Sequence, residues 1–488
     1  MGAILSCATD SHNIYTINRN KKLLFLTHPS LIPFLYNQNE KADEDSYYAR
    51  KAAYLKEHGY LEDINHRYDG TISPDTVEYN LANLKQIVFE VTDACNLRCK
   101  YCAYGELYSD HDERHAQKMT FASAKNIIDF LVNIWNNGKQ EFTQKVIYIS
   151  FYGGEPLLNM PFIRQVIEYV ESLHIANRTI EYTMTSNAML LDRYMDYLAE
   201  KNFGLLISLD GNKWNNSYRV TASGEDSFER NIANVDLLKE KYPEYFEKHV
   251  NFNTVLHNRN TVDEVFKFIK ERYGKQPRIT SLNTTGIRAD KQEEFNNMFR
   301  NVADNLQQSK DYELLIDEMF MNSPEYHDVC LFLYKYNQNV YRSYNDLFAL
   351  LKAENYIPTG GCTPFDRKIF ITVNGKVLAC ERIGQQYGLG VVNPETPVDL
   401  SFQKIADMHN HYLDKLRAQC KTCYMSQSCM QCMYTINQLD SSEKIKCPGF
   451  TNREDFARYV SRNLSFMEKH PTAYERVMEV VLNLEFNL

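Results

Sequence analysis

The sequence predicts an α/β protein built on a parallel sheet wound with helices, with a small module before it and a cysteine-rich one after it. Three observations carry that prediction. Six strand-like runs, at 86–92, 145–152, 179–186, 203–209, 250–256 and 278–283, alternate with longer segments whose apolar residues recur at helical spacing. Residues 1–80 have a different rhythm, of hairpin and helix. Seven of the chain's 12 cysteines fall between Cys362 and Cys447.

The helical segments between the six runs are 121–135, 162–175, 194–198 and 228–238. Strand–helix alternation builds parallel pairs through right-handed crossovers. Six such units make an open sheet or an incomplete barrel. In both, an active site belongs at the C-terminal ends of the strands. Ahead of this region, 13–17 and 22–26 pair around the polar turn Asn18-Arg19-Asn20-Lys21, and 45–58 reads as a helix ended by Gly59. Short apolar pieces follow, up to the loop residues Gly70 and Pro74. A hairpin, a helix and a further short strand would make a winged-helix-like unit, with a plain N-terminal cap as the alternative. Residues 290–356 read as mostly helical. A hairpin is expected over 368–373 and 376–380 around Asn374-Gly375, a strong two-residue turn signal. Residues 453–488 read as one or two amphipathic helices. The expected units are therefore 1–80, a sheet domain at 85–300, a helical linker at 301–358, a cysteine-rich domain at 359–450 and helices at 451–488.

With 488 residues the chain is too long for one small domain. Its 54 basic and 63 acidic side chains give a net charge of −9, which argues against a nucleic-acid partner held by a basic face. No apolar run approaches the roughly 20 residues that span a bilayer, so no membrane association is expected. Met1 to Ser6 fits the loose myristoylation pattern, but nothing nearby supplies a second anchor. Without a signal peptide the expected address is the cytoplasm, where thiols stay reduced and clustered cysteines read as metal ligands.

Cys95, Cys99 and Cys102 follow the first strand of the sheet domain as C-x3-C-x2-C. Three thiolates in one loop can hold three irons of a [4Fe–4S] cube and leave the fourth open to a ligand. A zinc knuckle or reduced thiols would also fit this spacing, although structural zinc usually takes four protein ligands. The second strand ends in Phe151-Tyr152-Gly153-Gly154-Glu155-Pro156. A Gly-Gly pair there lets backbone approach a ligand closely, and Glu155 could accept a hydrogen bond from an ammonium group. Taken alone, the pair also fits a plain turn.

In this order the two motifs resemble the radical S-adenosylmethionine (SAM) superfamily. The resemblance implies a partial (β/α)6 TIM-like barrel in which the three cysteines hold the cluster and SAM chelates its open iron. It places Tyr101 against the adenine, and Gly153, Gly154 and Glu155 on the methionine ammonium. Ser186, in Thr185-Ser186-Asn187, stands where related enzymes have Thr-Asn-Gly. Ser208, in Ile207-Ser208-Leu209-Asp210-Gly211, would help hold SAM. Arg219 resembles the arginine that pairs with the SAM carboxylate, with a solvated helix residue as the bland alternative. Tyr152 replaces a glutamine common in relatives. The implied chemistry is reductive cleavage of SAM to a 5′-deoxyadenosyl radical that abstracts hydrogen from carbon.

The C-terminal cysteines run Cys362, Cys380, Cys420-x2-Cys423-x5-Cys429-x2-Cys432 and Cys447. One or two structural zinc sites would suit the C-x2-C pairs. Beside the upstream motifs the pattern resembles the SPASM extension with two auxiliary [4Fe–4S] clusters. Carried over by position, Cys420, Cys423, Cys429 and Cys447 ligate one cluster, and Cys362, Cys380 and Cys432 the other. The family's usual C-x3-C is C-x2-C here, and the second set lacks a fourth cysteine. Cys330 reads as a buried thiol. Glu381 stands where sulfatase-maturating enzymes have an aspartate base, and a salt-bridge role is its alternative.

SPASM proteins largely modify peptides, and the N-terminal module is similar to leader-recognition elements that add a peptide as a strand to a sheet edge. Residues 13–26 would offer that edge and 47–60 the packing helix. The resemblance thus implies a maturase that installs a thioether or carbon–carbon cross-link in a leader-bearing precursor peptide, with a flavodoxin- or ferredoxin-type reductant. An anaerobic sulfatase-maturating enzyme that forms formylglycine is the alternative; the extra 80 residues and Glu381 count against it. A non-catalytic iron–sulfur carrier or zinc-stapled binding protein is a third reading, which the SAM motifs oppose.

Overall fold

The computed structural model describes residues 2–36, 46–140, 146–337, 354–358, 360–440 and 445–482. Two sheets organise them. The smaller is antiparallel, in the order β1 (Ile4–Ala8), β2 (Ile14–Asn18), β3 (Leu23–Leu26). The expected hairpin is β2–β3, with Tyr15 opposite Leu26 and Asn18 opposite Leu23. Its turn closes because the Asn18 side chain accepts from the Lys21 N–H and Lys22 takes a left-handed φ of 53°. The helix Tyr47–Glu57 follows, capped by the Ser46 hydroxyl.

Two expectations for this module are corrected. The additional strand, β1, lies before the hairpin, with Ile4 opposite Asn18, and among the described residues no strand follows the helix within 58–73. Nor does 13–26 supply an edge as a whole. β2 is paired on both sides, which leaves β1 and β3 as edges.

The larger sheet has nine strands in the order β12-β11-β10-β4-β5-β6-β7-β8-β9. Its parallel centre is β4 (Gln86–Thr92), β5 (Val146–Gly153), β6 (Thr179–Ser186), β7 (Gly204–Ser208), β8 (Val250–Leu256) and β9 (Arg278–Ser281). All six expected strands are present, in sequence order. The crossovers carry the helices Phe121–Asn137, Met160–Ser172, Leu191–Glu200, Phe228–Lys241 and Val262–Tyr273. Thr120 and Thr261 cap two of these through their hydroxyls.

Period-2 alternation sends Ile87, Phe89, Val91, Ile147, Ile149 and Phe151 toward the helices, where each is at most 1% exposed. They meet Ile127, Leu131, Ile163, Val166 and Ile167 from the helical stripes. At about 1.5–3 kcal/mol for each fully buried large apolar side chain, this two-layer core dominates the domain's stability. The other face is mixed: Val88 packs in an apolar cluster with Phe370 and Leu378, while Gln86 Nε2 donates to Ser150 Oγ at 2.6 Å and the Ser150 and Thr183 hydroxyls bond to each other.

β10 (Lys368–Ile371) and β11 (Lys376–Leu378) form the hairpin expected around Asn374-Gly375, and β12 is Gly390–Val391. Here the boundary expected near 359 does not separate the sheets. β10 pairs parallel with β4, Lys368 opposite Gln86, so the hairpin extends the central sheet. Glu90, 3% exposed, fixes the junction by accepting from the Val373 N–H at 2.9 Å.

The helices Gln292–Met298, Val302–Gln307, Tyr312–Met319 and Pro324–Tyr336 fill the expected helical stretch up to 337. Residues 338–353 of that stretch, the expected starts Asp45 and Lys145, and 483–488 at the end lie outside the described residues. Arg453–Lys469 and Ala473–Leu482 are the terminal helices. Cys330 is 3% exposed in an apolar cluster with Leu5, Ile17, Tyr336 and Phe456, which joins the N-terminal sheet to these helices. Among the described residues no helix is long and apolar enough to cross a membrane.

Candidate active site

The loop after β4 carries Cys95, Cys99 and Cys102, and the end of β5 holds it. The Gly154 N–H donates to Thr92 O at 2.8 Å and the Glu155 N–H to Ala94 O at 2.9 Å. A Cβ at Gly154 would lie 1.9 Å from Ala94 O, and one at Gly153, where φ is +125°, 2.3 Å from Thr92 O. Two glycines are therefore required by the backbone of the cysteine loop itself.

Glu155 is 1% exposed, and its carboxylate ties β5 to β6. It accepts from the Ser186 hydroxyl at 2.8 Å, the Asn187 N–H at 2.8 Å and the Leu157 N–H at 3.2 Å. Burial pushes its pKa up to about 7, against the three hydrogen bonds that favour the anion. Asn187 continues the chain of contacts, donating to Asn96 Oδ1 at 2.7 Å with its Nδ2 3.7 Å from Cys95 Sγ. The Leu97 N–H points at Cys95 Sγ from 3.4 Å.

Cys102 lies close enough to Cys95 and Cys99 to disfavour their ionisation. Burial pushes Cys95 up to about 11 and Cys99 up to about 12, and the neighbouring cysteines add to both shifts. Without a cation Cys95 and Cys99 stay protonated at neutral pH. Iron would reverse that, since metal binding favours thiolates. Among the described residues no three His, Cys, Asp or Glu side chains converge on one point as a single ion requires. A cube spreads its three thiolates over three irons, so separated sulfurs suit it.

Behind the loop lies a buried ionic knot. Arg219 donates through Nε and Nη2 to the two oxygens of Asp210, both at 2.9 Å, with the residues 6% and 0% exposed. Tyr101 donates its hydroxyl to Asp210 and stacks on His257 at 5.4 Å. His257 Nε2 stands 3.7 Å from the same carboxylate. Burial alone would raise the Asp210 pKa, but Arg219 and His257 outweigh it and hold the group at about 2.

The C-terminal cysteines gather at the β10–β11 hairpin's apolar cluster, against which Cys380, Cys420, Cys432 and Cys447 all pack. Cys420, Cys423, Cys429 and Cys447 line one pocket with Tyr68, Pro358 and Phe450. The Thr451 N–H points at Cys423 Sγ from 3.4 Å, and a Cβ at Gly360 would sit 2.5 Å from Cys429 Sγ. Cys362 and Cys432 are near enough to interact electrostatically. Glu381 pairs with Lys368 at 3.0 Å, and although burial opposes ionisation, Lys368 lowers its pKa.

The residues named from the SAM motifs thus gather beyond the C-terminal ends of the strands, and several of them are already engaged. Glu381 instead lies with Lys368, opposite Gln86 at the start of β4. The Ser186 hydroxyl donates to Glu155 and accepts from the Ala188 N–H. Arg219 is bound to Asp210. Ser208 keeps a half-buried hydroxyl with no side-chain hydrogen bond among the described residues. Sequence reasoning missed Asp210, although it lay within a quoted motif, and Asn187 as a neighbour of Cys95. It gave no signal for Arg114, whose side chain reaches Gly154 from a loop.

Residues 89–272 match the model of the radical SAM superfamily, and this part of the chain is a radical SAM domain. Over 199 residues the chain is 28% identical to a cysteine-type anaerobic sulfatase-maturating enzyme of Clostridium novyi (strain NT), covering 39% of this chain and 49% of that enzyme. Over 189 residues it is 31% identical to the radical SAM cyclopropyl synthase TigE of Paramaledivibacter caminithermalis, covering 37% of each. The chain therefore spans about half or less of these two relatives. Native anSMEcpe with bound AdoMet shares the fold, with a TM-score of 0.55 at 19% identity, over 82% of this chain and 100% of that one.

Proposed function

We propose that the chain is a radical SAM peptide maturase that cross-links a ribosomally made precursor, with two auxiliary clusters in its C-terminal region. One observation carries the reading: the backbone clamp that joins the Cys95–Cys99–Cys102 loop to Gly153-Gly154-Glu155 at the C-terminal end of a parallel sheet. A bound [4Fe–4S] cluster and SAM would supply the electron and the carbon radical that abstracts hydrogen. Cys95, Cys99 and Cys102 bind three irons. Gly153 and Gly154 let the cysteine loop close against β5 beside the methionine end of SAM, and Ser208 offers it a hydroxyl. Tyr101 closes the adenine side. Glu155 and Ser186 set the spacing of β5 and β6, and Arg219 positions Tyr101 through Asp210. Cys420, Cys423, Cys429 and Cys447 hold one auxiliary cluster, and Cys362, Cys380 and Cys432 the other. Glu381, anionic beside Cys380, is the candidate base, at the other end of β4 from the Cys95 loop.

The name of a sulfatase-maturating enzyme among the relatives supports a polypeptide substrate. The leader would add to β3. Leu26 on that edge strand is 64% exposed, with Tyr47 of the neighbouring helix 61% exposed. A small flavodoxin- or ferredoxin-type protein would supply the electrons. Formylglycine formation in a sulfatase is the second reading, favoured by the matches to sulfatase-maturating enzymes. The test is anaerobic reconstitution followed by assay for 5′-deoxyadenosine and mass spectrometry of a co-expressed precursor. A loss of two hydrogens with a new cross-link supports the first reading, and an aldehyde the second. Absence of reductive SAM cleavage refutes both.

A further inference from the structure

We propose that Arg114 is the side chain that binds the α-carboxylate of SAM, a role the sequence motifs give to Arg219. This rests on the reading of the Cys95 loop as the SAM site.

An arginine grips a carboxylate most firmly through two parallel N–H bonds, and the Nε/Nη2 edge of the guanidinium offers such a pair. In Arg219 that edge is filled, since Nε and Nη2 both donate to Asp210. In Arg114 the same two atoms are buried without a hydrogen-bond partner. A buried donor left unpaired is costly, more so when charged, so an open fork of this kind points to an anion that fills it.

The location fits the amino-acid end of SAM. Nη2 of Arg114 lies 2.7 Å from where a Cβ on Gly154 would stand, so the fork lies against the Gly-Gly turn. The guanidinium sits 5.1 Å from the centroid of the Tyr104 ring, two residues beyond Cys102. It is also near enough to Cys95 and Glu90 to act on both electrostatically. Among the described residues no ion pair joins Glu90 to Arg114, and Glu90 Oε2 accepts from Val373. Asp93 is the rival to exclude. Its Oδ2 accepts from the His115 N–H, and its Oδ1 is also buried without a partner. A modest rearrangement could pair it with Arg114 inside the protein.

The test compares SAM with decarboxylated SAM on anaerobically reconstituted wild type, Arg114→Gln and Arg114→Lys, by equilibrium dialysis and by the change each ligand makes in the cluster's EPR spectrum. Charge-assisted hydrogen bonds of this kind predict a loss of roughly 10- to 100-fold in SAM affinity for Arg114→Gln. The lysine variant should recover part of it. Decarboxylated SAM should bind wild type and Arg114→Gln alike. Equal loss of both ligands, or of neither, overturns the assignment, as does a drop in melting temperature for Arg114→Gln matched by Asp93→Asn, which marks an internal ion pair. If wild type binds no SAM, the underlying reading of the site fails, not this assignment alone.

Discussion

At Gly154 a single methyl group decides whether the cysteine loop can lie where it does. Gly154→Ala would place a carbon 1.9 Å from Ala94 O, and backbone cannot yield as a flexible side chain can. The expected outcome is a folded protein, destabilised by about 1–3 kcal/mol, that takes up about four fewer irons per chain. Iron and sulfide analysis after reconstitution checks this, and a full iron complement would refute it. Asp210 gives a second test. Asp210→Asn strips a buried guanidinium of its anion, which costs roughly 3–5 kcal/mol, and Asp210→Asn with Arg219→Met should recover much of that. Urea unfolding of the two variants separates the terms. Because Asp210 is held at about 2, below its usual value, its contribution is complete above about pH 4 and is lost as pH falls toward 2.

At the scale of elements, the four-cysteine pocket and the helix leading into it form a unit. Cys447→Ser should remove one auxiliary cluster, about four irons, and leave SAM cleavage at the Cys95 loop intact. Loss of 5′-deoxyadenosine formation in that variant would show instead that the clusters are interdependent. The helix Phe402–Cys420 carries its own pH signature. His409 is 0% exposed and bonds Tyr434 across 3.2 Å, and burial lowers its pKa to about 4. The unfolded chain binds the proton first, so stability is complete above about pH 6.5 and declines as pH falls toward 4, by about 1.4 kcal/mol per unit. His409→Phe should flatten that slope in urea titrations between pH 4 and 7. Periodicity made the six parallel strands legible here, because each is a short apolar run closed by turn residues. It could not reveal that β10 joins β4, since pairing between strands nearly 300 residues apart leaves no local mark. β1 escaped for another reason: five residues with one clear apolar pair are too few to establish a period.

Across the whole molecule, the N-terminal module is seated on the cysteine-rich region. Arg19, 4% exposed, donates to Tyr424 O at 2.8 Å and lies 4.6 Å over the Tyr424 ring, next to Cys423. Ser461 Oγ donates to Ala8 O at 2.7 Å from the helix Arg453–Lys469. Arg19→Ala should cost about 1.5–3 kcal/mol and hasten iron loss from the auxiliary site while sparing the cluster at Cys95. Time courses of iron release to a chelator would show it, and equal release from both sites would contradict it.

The sequence by itself determined the class of chemistry. Three cysteines at fixed spacing, a Gly-Gly-Glu turn and six alternating strands are local patterns, and local patterns survive without coordinates. Only the tertiary structure decided which charges are already spent. Arg219 and Arg114 are the same residue type, and no spacing rule says that one guanidinium fork is closed by Asp210 while the other stands open beside Gly154. That distinction depends on which groups folding brings within about 3 Å in a medium too dry to solvate them.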